Sequence, residues 1–342
     1  MSELAAFAAT SLAILSLPPL ARRLGLVDRP GGRKVHDGDI PLIGGVAMGV
    51  GLIAGVALHP VLRVRVDVIV FVLAAVLMLI VGVVDDKRGL SPKLRIAATI
   101  LISMLVVRFE DFQLHSLGDL AGMGEVTTGV LAIPFTLFCI VGVVNALNMV
   151  DGVDGLAGSL TAVALAGMAW AAWLAKEPRM VALISILLAA VVAFLCFNAR
   201  TPLRRRASIF MGDGGSMFLG FVLATLFTSL SQAPQDGVRI MAPTTALWLL
   251  ALPLMDAGRI LIRRALSGRS PFSADREHLH HVLLAAGYTP GEAVFILIVL
   301  ASLLMVVGLA GHFIGVPEPV MLGGFLLLFL IYCVGMNFAK TL

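Results

Sequence analysis

Charge is the first thing this sequence is short of: only 13% of its 342 residues are Asp, Glu, Lys or Arg, where a soluble domain carries roughly 25%. With 59% hydrophobic residues and a mean hydropathy of +1.00, that shortage excludes an ordinary soluble globule. Cysteine is scarce too. Cys139, Cys196 and Cys333 are odd in number and all fall in apolar runs, which argues against a disulfide framework. There is no internal repeat, no low-complexity tract and no separate soluble domain. Alternation of apolar and polar residues is also missing from the long runs, so a membrane barrel is excluded in favour of helices.

What is present is a series of apolar stretches long enough to cross about 30 Å of hydrocarbon. Eleven are expected, near 3–21, 41–60, 67–84, 94–108, 128–147, 155–175, 180–198, 208–230, 240–262, 291–312 and 319–339. The first lacks a basic leader and is followed by Arg22 and Arg23, so it reads as a span and not as a cleaved signal. With these spans, 19 of the 25 Lys and Arg residues fall on one side and six on the other. The rich side is therefore expected to be cytoplasmic, with the N-terminus outside and the C-terminus inside. The net charge of +4 then follows from topology, with attraction to anionic membrane lipids in addition, and calls for no nucleic-acid partner. The fold class expected is an all-α polytopic membrane protein forming one catalytic domain over 1–342. Its cytoplasmic loops lie near 22–40, 85–94, 148–154, 199–207 and 263–290.

The topology sorts the polar residues. "GVVDDKRGLSPKLR" (82–95), "NALNMVDGVDGLAG" (145–158), "IFMGDGGSMFLGF" (209–221) and "SPFSADREHLHHVL" (270–283) all reach the cytoplasmic face. Each has an ordinary reading, since Asp at a span boundary often does no more than cap a helix. That reading weakens for Asp85 and Asp86, because adjacent carboxylates repel and usually need a cation nearby. It weakens further for Asp213, a charge among Gly212, Gly214 and Gly215 at the start of an apolar span. Glycines around one carboxylate suit close approach of a ligand to the backbone, with helix N-terminal N–H groups open to an anion. Asn145, Asn148, Asp151 and Asp154 recur every three residues. Oxygen-only side chains of this kind suit Mg²⁺, which binds through one or two protein groups plus substrate phosphates. His278, His280 and His281 lack the cysteines and further ligands of a zinc site. Beside Arg276 they better suit donors for phosphate or sugar oxygens.

With these clusters quoted, the chain resembles the polyprenyl-phosphate N-acetylhexosamine-1-phosphate transferases, most closely the UDP-N-acetylglucosamine:undecaprenyl-phosphate branch. The resemblance runs from "RKVHDGDIPLIGG" (33–45) to about Leu284. Asp85 and Asp86 match the pair of the family's Asp-Asp-x-x-Asp motif, whose last position is Gly89 here. Lys93 matches a lysine expected to touch the diphosphate. Asn145, Asn148, Asp151 and Asp154 match the Asn-x-x-Asn-x-x-Asp-Gly-x-Asp-Gly signature. Asn148 and Asp213 are similar to the metal-reaching asparagine and the principal Mg²⁺ ligand. "REHLHH" matches the histidine loop near the donor; its interruption by Leu279 is unlike the three consecutive histidines of the muramoyl-pentapeptide branch.

The resemblance implies Mg²⁺-dependent transfer of N-acetylglucosamine 1-phosphate from a UDP-sugar to a polyprenyl-phosphate lipid, releasing UMP, with Mn²⁺ as a substitute ion. It also implies a multi-pass enzyme of the bacterial cytoplasmic (inner) membrane, at the first membrane step of cell-envelope polysaccharide synthesis such as lipopolysaccharide or O-antigen, and a homodimer. Asp85 or Asp86 would act as general base, or the pair would organise the site or hold the cation; the sequence leaves these open, along with Asp151 and Asp154. A muramoyl-pentapeptide or other UDP-N-acetylhexosamine donor is the alternative within the family. Two rivals come from other classes. A cation-coupled transporter would place its acids mid-span in repeats, and an intramembrane aspartyl protease would place them within the bilayer.

Overall fold

The computed structural model describes residues 1–29, 38–201, 204, 206–232, 239–268, 270 and 277–338, Glu110 by its backbone alone. Two prolines break the first apolar run. Pro18 and Pro19 cannot donate N–H groups to the preceding turn, so α1 (Ser2–Ser16) and α2 (Pro18–Leu24) meet at 53°. A two-residue antiparallel pair follows, β1 (Val27–Asp28) against β2 (Ile40–Pro41); among the described residues it is the one sheet, the other β pairing being single bridges. Then come α3 (Gly44–Leu58), α4 (Val66–Arg88), α5 (Pro92–Val106), α6 (Ala132–Val150), α7 (Leu156–Leu174), α8 (Pro178–Asn198) and α9 (Gly212–Ser231). The chain closes with α10 (Pro243–Leu249), α11 (Ala251–Leu266), α12 (Leu279–Ala285), α13 (Pro290–Ile314) and α14 (Glu318–Phe338).

All eleven apolar runs are helical, but they are not eleven continuous spans. Seven helices are long and apolar enough to cross a membrane: α4, α6 with the turn before it, α7, α8, α9, α13 and α14. The bent pairs α1–α2 and α10–α11 raise the number to nine at most. Helices α3 and α5 have 15 residues each, which at 1.5 Å per residue reach only about 22 Å. The run expected over 240–262 is interrupted at Leu250, where α10 and α11 meet at 85°. Pro253 accounts for the break, since its ring would clash with the Leu249 carbonyl if α10 continued.

Helix α9 is the centre of the bundle. Every residue from Gly214 to Ser231 is buried, against α3, α4, α6 and α7 among others. Its hydroxyls do not reach the core unsatisfied: Thr225 donates to the Phe221 carbonyl at 2.8 Å and Thr228 to that of Ala224 at 3.0 Å. Two missing side chains let its neighbours close in. A Cβ at Gly82 of α4 would meet the backbone of Asp213 and Gly214, and one at Gly220 would meet the backbone of Val144 in α6. The ends of α4 and α6 that bear the polar motifs are thereby brought to the N-terminus of α9. The opposite end is closed by a separate polar cluster. There Gln232 bonds both the N–H and the carbonyl of Ser116 at 3.0 Å, and Arg239 pairs with Glu125 and Glu318.

Candidate active site

The entry into α9 is fixed from three directions. Gly44 and Gly45, at the start of α3, donate to the carbonyls of Phe210 and Met211 at 3.0 and 3.2 Å. The first N–H groups of a helix have no partner within it, and here Asp86 supplies one from the end of α4. Its two oxygens accept from the backbone N–H groups of Asp213 at 2.8 Å and Gly214 at 3.0 Å. A carboxylate is the favoured occupant of a helix N-terminus. From the last turn of α6, the Asn148 amide donates to the Asp213 carboxylate at 2.7 Å and to the Ser216 hydroxyl at 2.9 Å. Asp86, Asn148 and Asp213, far apart in the chain, therefore share one hydrogen-bonded cluster.

The aspartate pair divides its work. Asp85 is buried and accepts from the Leu90 N–H at 2.6 Å and from Arg95 at 2.9 Å, tying the end of α4 to the first turns of α5. Gly89, where the family pattern has a third carboxylate, is left-handed (φ 64°) and terminates α4. Arg95 is the cation that meets Asp85, and sequence reasoning passed over it for Lys93. Lys93 is exposed on the first turn of α5 and makes no ion pair among the described residues.

At the turn between α6 and α7 the four oxygen-bearing residues separate. Asn145 donates to the Val141 carbonyl of its own helix at 2.7 Å. Asp154 accepts from Arg200 at 2.8 Å and from the Ala207 N–H at 3.3 Å, anchoring the segment that leads to α9. Asn198 supports the same segment, accepting from the Gly155 N–H and donating to the Ile209 carbonyl, both at 2.8 Å. Asp151 faces the cluster instead. Burial, and then the nearby charges of Asp213, Asp86 and Asp154, push its carboxyl up to about 7.

The histidines stand against this turn. A Cβ at Gly152 would meet the His280 imidazole, so His280 packs on the backbone next to Asp151. Its ring lies parallel to that of His278, centroids 5.5 Å apart, and 4.2 Å from that of His281. Burial, and then His281 and His278, lower its pKa to about 3. At His280 the donor expected for phosphate or sugar oxygens is a neutral imidazole. Arg276 lies outside the described residues. Sequence reasoning also missed Asp256 of α11, which bonds His278 at 2.7 Å; its signal was a lone carboxylate inside the apolar run 240–262.

No three His, Cys, Asp or Glu side chains among the described residues form a ready-made metal cage. Instead, the Asp86 and Asp213 carboxylates lie close enough to Asp151 to raise its pKa, with the Asn148 amide among them. This excess of negative charge in oxygen-only company fits a hard divalent cation held by one or two protein groups and completed by substrate phosphates.

Comparison with known proteins supplies the family. Residues 68–231 match the model of glycosyl transferase family 4. An undecaprenyl-phosphate alpha-N-acetylglucosaminyl 1-phosphate transferase from Pasteurella multocida (strain Pm70) is 33% identical, over 97% of this chain and 92% of its own length. Proteins of the same name from Escherichia coli O157:H7 and Salmonella typhi are each 35% identical, over 95% and 97% of this chain and 88% and 89% of theirs. The matched segment runs from α4 to the end of α9 and so contains Asp85, Asp86, Asn148, Asp151 and Asp213; on that segment and on the end-to-end likeness to these enzymes, the chain belongs to glycosyl transferase family 4.

Proposed function

We propose that this protein transfers N-acetylglucosamine 1-phosphate from UDP-N-acetylglucosamine to undecaprenyl phosphate and releases UMP, with Mg²⁺ as its cofactor. The observation that carries the reading is the meeting of Asp86, Asn148 and Asp213 at the N-terminus of α9, in a chain whose relatives bear that enzyme's name. Membership of a transferase family sets aside the transporter and protease readings.

In the reaction an oxygen of the lipid phosphate attacks the β-phosphorus of the nucleotide sugar. The bond from that phosphorus to the bridging oxygen breaks, and the oxygen leaves on UMP. The second pKa of a phosphate monoester is about 6, so at neutral pH the nucleophile is ionised without a protein base. Both members of the aspartate pair are already engaged, Asp85 by Arg95 and Asp86 by two N–H groups, which supports an organising role for them over proton abstraction. Asp213 and Asn148 would hold Mg²⁺. When bound, the ion spreads the charge that gathers on the diphosphate oxygens in the transition state. Asp151 and the histidine segment would border the diphosphate and sugar, with the neutral His280 offering a hydrogen bond in place of a charge. Lys93 and Arg276 would meet the anionic donor as it arrives from the cytoplasm, while the lipid acceptor stays in the bilayer.

Purified protein supplied with undecaprenyl phosphate, Mg²⁺ and a panel of UDP-sugars should form one lipid-linked product, from UDP-N-acetylglucosamine, with equimolar UMP. Turnover of the muramoyl-pentapeptide donor alone would leave the family intact and reverse the branch. The cytoplasmic orientation has its own test, in a background with Cys139, Cys196 and Cys333 replaced by alanine. Single cysteines at the exposed positions Ser91 and Ser208 should resist an impermeant thiol reagent in intact cells. One at Met123, in the loop of the opposite end, should react. The reverse pattern would turn the protein over in the membrane.

A further inference from the structure

We infer that Asp256 of α11 and Tyr332 of α14 are positioning residues, which fix the tautomer of His278 and seat the histidine segment on the Asp151 turn. The inference rests on the functional reading above for its consequence in turnover, and on geometry alone for the contact. Asp256 is buried, and its carboxylate is enclosed by three partners. Oδ2 lies 2.7 Å from His278 Nδ1. Oδ1 accepts from the Leu279 N–H at 3.1 Å and from the Tyr332 hydroxyl at 2.7 Å. Two donors on one oxygen favour the ionised carboxylate, which has only acceptors to offer. The hydrogen between Oδ2 and His278 must then sit on Nδ1, which selects the tautomer whose Nε2 is the acceptor.

The same helix grips the segment one residue earlier. Arg259 donates to the Glu277 carbonyl at 3.0 Å and Arg263 pairs with the Glu277 carboxylate. His278 caps α12, so fixing it fixes the register of His280 and His281 in the turn that follows. His280 stacks on the His278 ring and rests on Gly152. A chain of contacts thus runs from α14 through Tyr332, Asp256, His278 and His280 to the turn that bears Asp151. The bend at Leu250 makes it possible: α11 leaves the line of α10 at 85°, which lets a residue of an expected span reach the histidine segment.

Asp256→Asn keeps the shape but presents an amide N–H₂ or a neutral carbonyl to His278. Transfer should fall by about 10–100-fold, as when an outer partner of a site histidine is lost. Tyr332→Phe removes one donor only and should cost less, roughly a few-fold. The readout that a merely structural role would not move is the histidine signal itself. In ¹⁵N-histidine-labelled protein, one ring should carry its proton on Nδ1 at neutral pH, and in Asp256→Asn that ring should change tautomer or protonation. Tyr332→Phe, which keeps the carboxylate, should retain the parental signal and so guards against misfolding of the first variant. Parental histidine signals in Asp256→Asn, or transfer within about twofold of the parent, would overturn the inference. A parent with no transferase activity would sink the functional reading instead, and the tautomer signal would still decide whether the Asp256–His278 pair exists.

Discussion

Asp213→Asn is expected to lower the rate of transfer by about 10²–10³-fold, the range seen when one preorganised electrostatic group is removed from a reaction centre. The substitution is nearly isosteric, and the oxygen that accepts from Asn148 at 2.7 Å has a counterpart in the amide. Asp86 bonds the backbone at 213 and not the side chain, so the start of α9 keeps its cap. What is lost is one negative charge in a cluster whose excess of negative charge is its main electrostatic feature. A hard cation feels that loss directly. Residual activity in Asp213→Asn should therefore require much higher Mg²⁺, and Mn²⁺ should restore part of it. The measurement is initial rate against metal concentration for parent and variant, after their melting temperatures have been shown to agree. A variant with parental rate and parental metal dependence would remove Asp213 from the site.

Asp86→Asn is expected to fail differently. Both carboxylate oxygens of Asp86 accept backbone N–H groups. An amide can offer one oxygen, and its N–H₂ would then face the second donor. Losing a helix cap costs about 0.5–2 kcal/mol, and leaving a buried N–H without a partner adds about 1–3 kcal/mol. The variant should melt earlier than the parent and turn over about 10–100-fold more slowly, because the first turn of α9 holds Asp213 in place. Its metal requirement should shift less than that of Asp213→Asn. A shift as large as in Asp213→Asn, without loss of stability, would make Asp86 a metal ligand and not the cap of α9.

Part of this site was legible in the sequence for identifiable reasons. Glycines around Asp213 mark a close backbone approach, and the structure has it where Gly82 meets the start of α9. Carboxamides and carboxylates at every third position mark one end of a helix, and α6 ends at Val150 just before Asp151. The partners were not legible, because side-chain pairing depends on which helices touch. Nothing local says that Asp85 meets Arg95, that Asp154 anchors Arg200, or that Asn145 bonds its own helix. The bends were not legible for a related reason. Hydropathy measures apolar length and is blind to direction, so a run with Pro18 or Pro253 inside it reads as one span until the bend is seen. Asp256 was passed over because it stands alone in its run, and its meaning comes from His278 and Tyr332, 22 and 76 residues away.

The cap on α9 also sets an order of events during synthesis. Asp86 and the N–H group it accepts from at Asp213 are 127 residues apart. At roughly 5–20 residues per second, Asp86 waits about 6–25 s on the ribosome before its partner exists. Throughout that interval α4 is inserted with two carboxylates at its end, Asp85 answered by Arg95 and Asp86 still without the N–H groups it later accepts from. Helix α9 arrives with glycines, serines and threonines along a fully buried length, so lipid is a poorer companion for it than α3, α4 and α6, which must already be in place to receive it. The reaction centre is accordingly a late product of assembly, begun when α9 docks on Asp86 and completed when the histidine segment reaches the Asp151 turn. Nascent chains halted before Ser231 would be anchored in the membrane and carry most of the motifs, yet have no site at all.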